Sequence, residues 1–118
     1  MSAQTAQMPG LDRIRTRFVE LLQSRKTSIA LHALGAWDGK TAKEISTNLE
    51  QARAILHQIA GTTGTVGYPL LGEAAQQCEI QIIAYLEGPH AGLANCPPEI
   101  IGRINAFVEA CNIVASNG

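Results

Sequence analysis

TAKEISTNLEQARAILHQIAGTTGTVG, Thr41 to Gly67, is the stretch that decides the fold. Ile45, Leu49, Ala52, Leu56, Ile59 and Thr63 recur there by threes and fours, the spacing of one face of an α-helix and not the alternation of a strand. Thr41 with Glu44 three residues later forms capping-box register, which marks a helix start. Gly64 and Gly67 are expected to end the helix. The apolar seam is narrow, as in helices that pack on other helices.

Three further patterns flank this one. Toward the N-terminus, Ile14, Phe18, Leu21 and Leu22 recur at helical spacing, pause across Ser24-Arg25-Lys26-Thr27, and resume at Ile29, Ala30, Ala33 and Leu34. This reads as a main helix with a shorter continuation, an additional N-terminal helical segment beside the bundle proper. Gly35 to Lys40, with Asp38-Gly39 inside, reads as a turn. After Gly67, Pro69 suits the first turn of a third helix with Leu71, Ala74, Ala75, Cys78, Ile82 and Tyr85 inward. Gly88-Pro89-His90-Ala91-Gly92 breaks it, and a loop runs to about Cys96. Pro97-Pro98-Glu99 then opens a fourth helix whose apolar face is Ile100, Ile101, Ile104, Phe107, Val108, Cys111 and Val114. No segment alternates with period two. The expected fold is all-α, an antiparallel up-and-down four-helix bundle.

Composition agrees. The chain has 118 residues, enough for one core, and residues 11–118 are expected to form that single domain. Met1 to Gly10 reads as a flexible tail closed by the Pro9-Gly10 breaker. Hydrophobic residues make up 46% and aromatics only 4%, so the core is built from Leu, Ile, Val and Ala. Net charge is −1 without a basic stripe along the sequence, which argues against nucleic acid and against an anionic membrane as partners. Cys78, Cys96 and Cys111 lack disulfide or zinc-ligand spacing, and Cys78 and Cys111 fall in apolar stripes as small core residues. Neither an apolar leader nor a membrane-length apolar run is legible, so a cytoplasmic protein is expected.

One residue stands apart from the seam. At about 100° per residue, His57 points roughly 120° away from the core direction of its helix, onto the rim of the bundle. Its neighbours one turn away are Arg53, Ala54, Ala60 and Gly61, with Glu50 and Gly64 a turn further. Four of these six are Ala or Gly, so the imidazole stands in a clearing. Gly61 costs about 1 kcal/mol relative to Ala inside a helix, a cost that open space beside a histidine explains. An ordinary surface histidine is the bland alternative. His32 and His90 carry no such surroundings and read as structural or solvated. Trp37 reads as a plug for one end of the bundle.

His57-Gln-Ile-Ala-Gly61-Thr-Thr-Gly64-Thr-Val-Gly67, followed by Tyr68-Pro69-Leu70-Leu71 and a helical pattern to Glu79, resembles the histidine-phosphotransfer (HPt) domain of bacterial phosphorelays. The likeness is close from Leu49 to Glu79 and looser elsewhere. It implies a phosphocarrier without kinase activity of its own, in which His57 takes a phosphoryl group from a receiver-domain aspartate and passes it to another. Response-regulator receivers or a hybrid histidine kinase would be the partners. No cofactor is implied on this chain, because the receiver brings the divalent metal. The protein would work as a monomer. By the same likeness Gly61 gives the partner access, Gly64 and Gly67 shape the helix end, and Gln76 and Glu79 are candidates to hydrogen-bond the imidazole. C-cap and hairpin duties explain Gly64 and Gly67 as well, and solvated surface positions explain Gln76 and Glu79. Members of that family usually carry a lysine three residues after the histidine, where this chain has Ala60; Arg53 is the candidate substitute. That departure sustains two other readings, a non-phosphorylated module that binds or sequesters a receiver or kinase, and a plain structural bundle. By the same likeness Leu11 to Leu34, with exposed positions such as Leu31, would contribute part of the receiver-docking face beside His57; core packing explains the same residues equally well.

Overall fold

The computed structural model of the protein describes residues 9–92 and 94–117. Among them are four α-helices: α1 (Pro9–Trp37), α2 (Ala42–Val66), α3 (Pro69–Leu86) and α4 (Pro98–Asn117), with a short 3-10 turn at Pro89–Gly92. The connections between α1 and α2 and between α2 and α3 are too short for anything but reversal. Each helix packs on its two neighbours around a ring, α1 against α2 and α4, and α3 against α2 and α4. The protein is an all-α four-helix bundle, as the periodicity predicted.

Local chemistry sets the helix ends. Thr41 caps α2: its Oγ1 accepts the Glu44 N–H at 3.1 Å, and the Glu44 Oε1 accepts the backbone N–H of Lys40 at 2.9 Å and of Thr41 at 3.1 Å. These bonds, the one from Lys40 first, hold the exposed Glu44 carboxyl below its usual pKa. A depressed folded-state value stabilises the fold above the unfolded pKa and is lost as pH falls through the folded one. Glu44→Gln is therefore expected to lower the melting temperature at neutral pH and to converge on the native value at acid pH; an unchanged neutral melting temperature would refute the role.

At the other end, Gly67 is the C-cap, at φ 88°, with its N–H bonded to the Thr63 carbonyl at 3.0 Å. Left-handed backbone of this kind favours glycine. Gly64 does not end the helix as expected, because it lies inside α2, one turn before the cap. Arg15 of α1 donates its Nε–H to the Val66 carbonyl at 2.8 Å, placing a cation at the negative end of the α2 dipole. Phe18 stacks on Tyr68 beside it, centroids 5.5 Å apart.

The first pattern is corrected in two respects. α1 runs unbroken through Ser24–Thr27, so the main helix and the additional N-terminal segment are one element. The apolar pause has a tertiary cause: Lys26 Nζ reaches Asn112 Oδ1 of α4 at 2.7 Å and Gln23 Oε1 at 2.9 Å, a polar contact at a position the spacing left blank. Pro9-Gly10 opens α1 and does not precede it, as first-turn proline permits. The rest of the expected tail, residues 1–8, lies outside the described residues.

The core follows the seams. Leu22, Ile29, Ile45, Leu49, Leu56, Ile59, Ile82, Ile104 and Phe107 are fully buried, and side chains of this size contribute about 1.5–3 kcal/mol each relative to exposure. Ile14 and Leu34, although in register, lie about half exposed. Trp37 is 52% exposed and is no plug; it lines an open groove with Leu34, Pro98 and Ile101 between α1 and α4. All three cysteines are free and buried, Cys96 as well as the two expected. Burial raises the Cys78 thiol to about 11 and that of Cys111 to about 12, which leaves them inert as nucleophiles near neutrality. No described helix is long and apolar enough to cross a membrane.

Candidate functional site

His57 projects from the middle of α2 with 74% of its side chain exposed, as the helical wheel placed it. Its Nδ1 lies 2.9 Å from Oε2 of Glu79 on α3. Glu79 is almost wholly covered, at 8% exposure, and its Oε2 also lies 3.8 Å from Nε of Arg53, one turn before His57 on α2. A covered carboxylate between an arginine and an imidazole is held in one position by both. A carboxylate can only accept, so this contact favours the tautomer of the neutral ring that carries its proton at Nδ1. The contact also sets the ring orientation. It leaves the basic nitrogen on the side facing water.

The clearing expected around the imidazole is real. Gly61 lies one turn beyond His57 on the same exposed face, and a Cβ built there meets nothing within 4 Å. Among the described residues, no other side chain fills the space at Gly61. Gly64 is equally open. Ala60 is half-buried against the core, so the position where the resembled family carries lysine presents no charge.

Of the remaining sequence candidates, Gln76 makes no hydrogen bond to His57. It lies exposed on α3, where with Ala60, Thr63, Gly64 and Glu73 it lines a shallow depression of about 290 Å³ between α2 and α3. Gly67 belongs to the helix cap and to Arg15, away from the imidazole. The site proper is His57, Glu79, Arg53 and Gly61. His32 Nδ1 lies 3.0 Å from Asn48 Oδ1, a contact between α1 and α2.

No protein-family model, curated protein or solved structure matches the chain.

Two residues of α3, Glu79 and Gly72, shape how this helix meets α2. Glu79 sits directly after Cys78 and one turn after Ala75, at the margin of the inward stripe of α3. A carboxylate there has to be covered, and a covered carboxylate requires partners. A Cβ at Gly72 would collide with Thr63 Oγ1, so this glycine lets α3 close onto α2 two turns below the His57–Glu79 contact. Its signal, a glycine one residue after a core leucine, is shared with many surface glycines and does not single it out. Among the described residues, no cluster of three or more His, Cys, Asp or Glu side chains is arranged to hold a metal.

Proposed function

We propose that this protein is a phosphorelay intermediate of the HPt kind, carrying a phosphoryl group on Nε2 of His57 between receiver-domain aspartates. The observation that carries the reading is the His57 Nδ1–Glu79 contact on an otherwise exposed imidazole. Neutral imidazole with its proton held at Nδ1 is a nucleophile at Nε2 near pH 7. Nε2 attacks the phosphorus of an aspartyl phosphate in line; the N–P bond forms, the acyl O–P bond breaks, and the electron pair leaves with the aspartate carboxylate. The Nδ1 proton stays in place, and the positive charge that develops on the ring lies against Glu79. Donation to a second aspartate is the same step reversed. Such a transfer depends mainly on positioning and charge neutralisation.

The clearing supports the same reading, because an aspartate recessed in a partner can be reached only by a side chain that its neighbours do not crowd. Gly61→Leu is expected to fold at least as stably as the native chain, since leucine is the better helix former and the position is open. Transfer should fall by about tenfold or more, because a misplaced in-line geometry is costly. Stability unchanged or raised together with undiminished transfer would show the clearing to be incidental.

The deciding experiment is incubation with receiver domains from the same genome carrying ³²P-aspartyl phosphate. Acid-labile, alkali-stable label on this protein supports the proposal, and transfer from no receiver refutes it. One observation favours a second reading, a docking module that binds a receiver or kinase without taking phosphate: Ala60 offers no cation, and Arg53 stands 3.8 Å from Glu79, where it already has a carboxylate beside it. Receivers that bind but never transfer would select that reading.

A further inference from the structure

The bundle collects its positive charge in one place. Between Asp12 and Lys26 the chain has five cations and two acids, net +3, whereas the rest has four cations and eight acids, net −4. Two of the five are engaged internally, Arg15 on the Val66 carbonyl and Lys26 on Gln23 and Asn112. The other three, Arg13, Arg17 and Arg25, rim a trench of about 370 Å³ between α1 and the C-terminal part of α2. Arg17 meets Glu20 at 3.6 Å in a pair exposed on both sides, which neutralises little. Among the described residues, Arg13 and Arg25 have no carboxylate within ion-pair distance. The trench floor is apolar: Phe18 and Val66 are buried at its base, and Ile14 stands 51% exposed in it.

We propose that this trench seats an acidic amphipathic helix of a partner protein. The complement of an apolar floor between unneutralised guanidinium groups is an element with one apolar stripe flanked by carboxylates, and a helix presents both at i, i+3, i+4 and i+7 spacing. Arginine is suited to the rim because its planar fork pairs with carboxylates in two-pronged fashion. A flat anionic surface would pair the rim but leave the concave floor unfilled. The inference stands on charge and shape and does not require phosphotransfer at His57.

The test uses the whole protein and a fluorescein-labelled peptide about four helical turns long, with leucines at that spacing and glutamates flanking them. A second peptide replaces every glutamate with lysine. The acidic peptide is expected to bind at least roughly tenfold more tightly than the lysine peptide, and to weaken by a similar factor in Arg13→Gln/Arg17→Gln/Arg25→Gln protein and on raising salt. Amide shifts should map to α1 and to Thr62–Val66. Equal binding of both peptides, no binding of either, shifts that map elsewhere, or anionic phosphatidylserine vesicles displacing the bound acidic peptide would each overturn it. If the triple variant does not fold, salt dependence of the native protein still decides.

Discussion

His57→Gln is expected to eliminate acid-labile labelling of the protein by a phosphorylated receiver, to below detection, while leaving its helicity and melting temperature nearly unchanged. The side chain is largely exposed and contributes nothing to the core, so its removal has little to act on but chemistry. Glutamine retains approximate size and polarity but has no nucleophilic nitrogen. Glu79→Gln is the sharper companion. An amide can donate to Nδ1 as well as accept from it, so the ring is no longer held with its lone pair at Nε2. Transfer should then slow by about 10–100-fold, the range typical when a partner orienting a histidine is removed, with receiver binding intact. A merely structural Glu79 would lower stability and leave the rate per folded molecule unchanged, and that result would remove it from the mechanism. Label persisting on His57→Gln protein would place the acceptor elsewhere and sink the proposed function outright.

Gly72→Val is expected to cost about 3 kcal/mol, lowering the melting temperature by roughly 10 °C for a chain of this size. Even the first added carbon collides with Thr63 Oγ1, and the branched methyl groups deepen the overlap. Thr63 is buried at 2% exposure and bonds the Ala60 carbonyl at 3.2 Å, so it has nowhere to retreat. The two helices must separate, and the His57–Glu79 contact, which also bridges them, lengthens. Combining Gly72→Ala with Thr63→Ala should recover part of the loss that Gly72→Ala shows alone, the signature of direct contact in a double-mutant cycle. Thermal melts of the four proteins are the measurement; strict additivity would mean that the close approach of α2 and α3 is not what Gly72 supplies.

The connection between these two experiments shows where sequence reading ended. His57 could be placed on the rim of the bundle from angles alone, because the seam Ile45, Leu49, Ala52, Leu56, Ile59, Thr63 fixes the direction of the core and every other position on α2 follows. The open space at Gly61 was legible for the same reason. Glu79 was a candidate alongside Gln76 only through the family likeness; which of the two meets His57 depends on the rotation of α3 against α2, and the pattern of a single helix is indifferent to its neighbour. The pause at Ser24–Thr27 misled in the opposite sense. An interruption in apolar periodicity looks like a break, but a lysine with an asparagine opposite it on α4 can occupy a packed position as well as a leucine does. The excess of cations between Asp12 and Lys26 is a property of the sequence, but only the packing of α1 on α2 gives Arg13, Arg17 and Arg25 one trench to rim.

By itself, then, the sequence determined the elements: the helical segments and most of their inward faces, the capping box at Thr41 and Glu44, an end to α2 within Gly64–Gly67, and a histidine outside the core. These are consequences of short-range rules, in which a residue's neighbours three or four positions away decide its environment. The tertiary structure alone decided the pairings: Glu79 with His57 and Arg53, Gly72 under Thr63, Lys26 across to Asn112, Arg15 on the end of α2. Each joins residues 22 or more positions apart, apart from the nine-residue step from Thr63 to Gly72 across the α2–α3 turn. Contacts of that kind depend on how far each helix is rotated and slid against the next. That is settled by the simultaneous packing of all four faces, which no single stretch of sequence encodes.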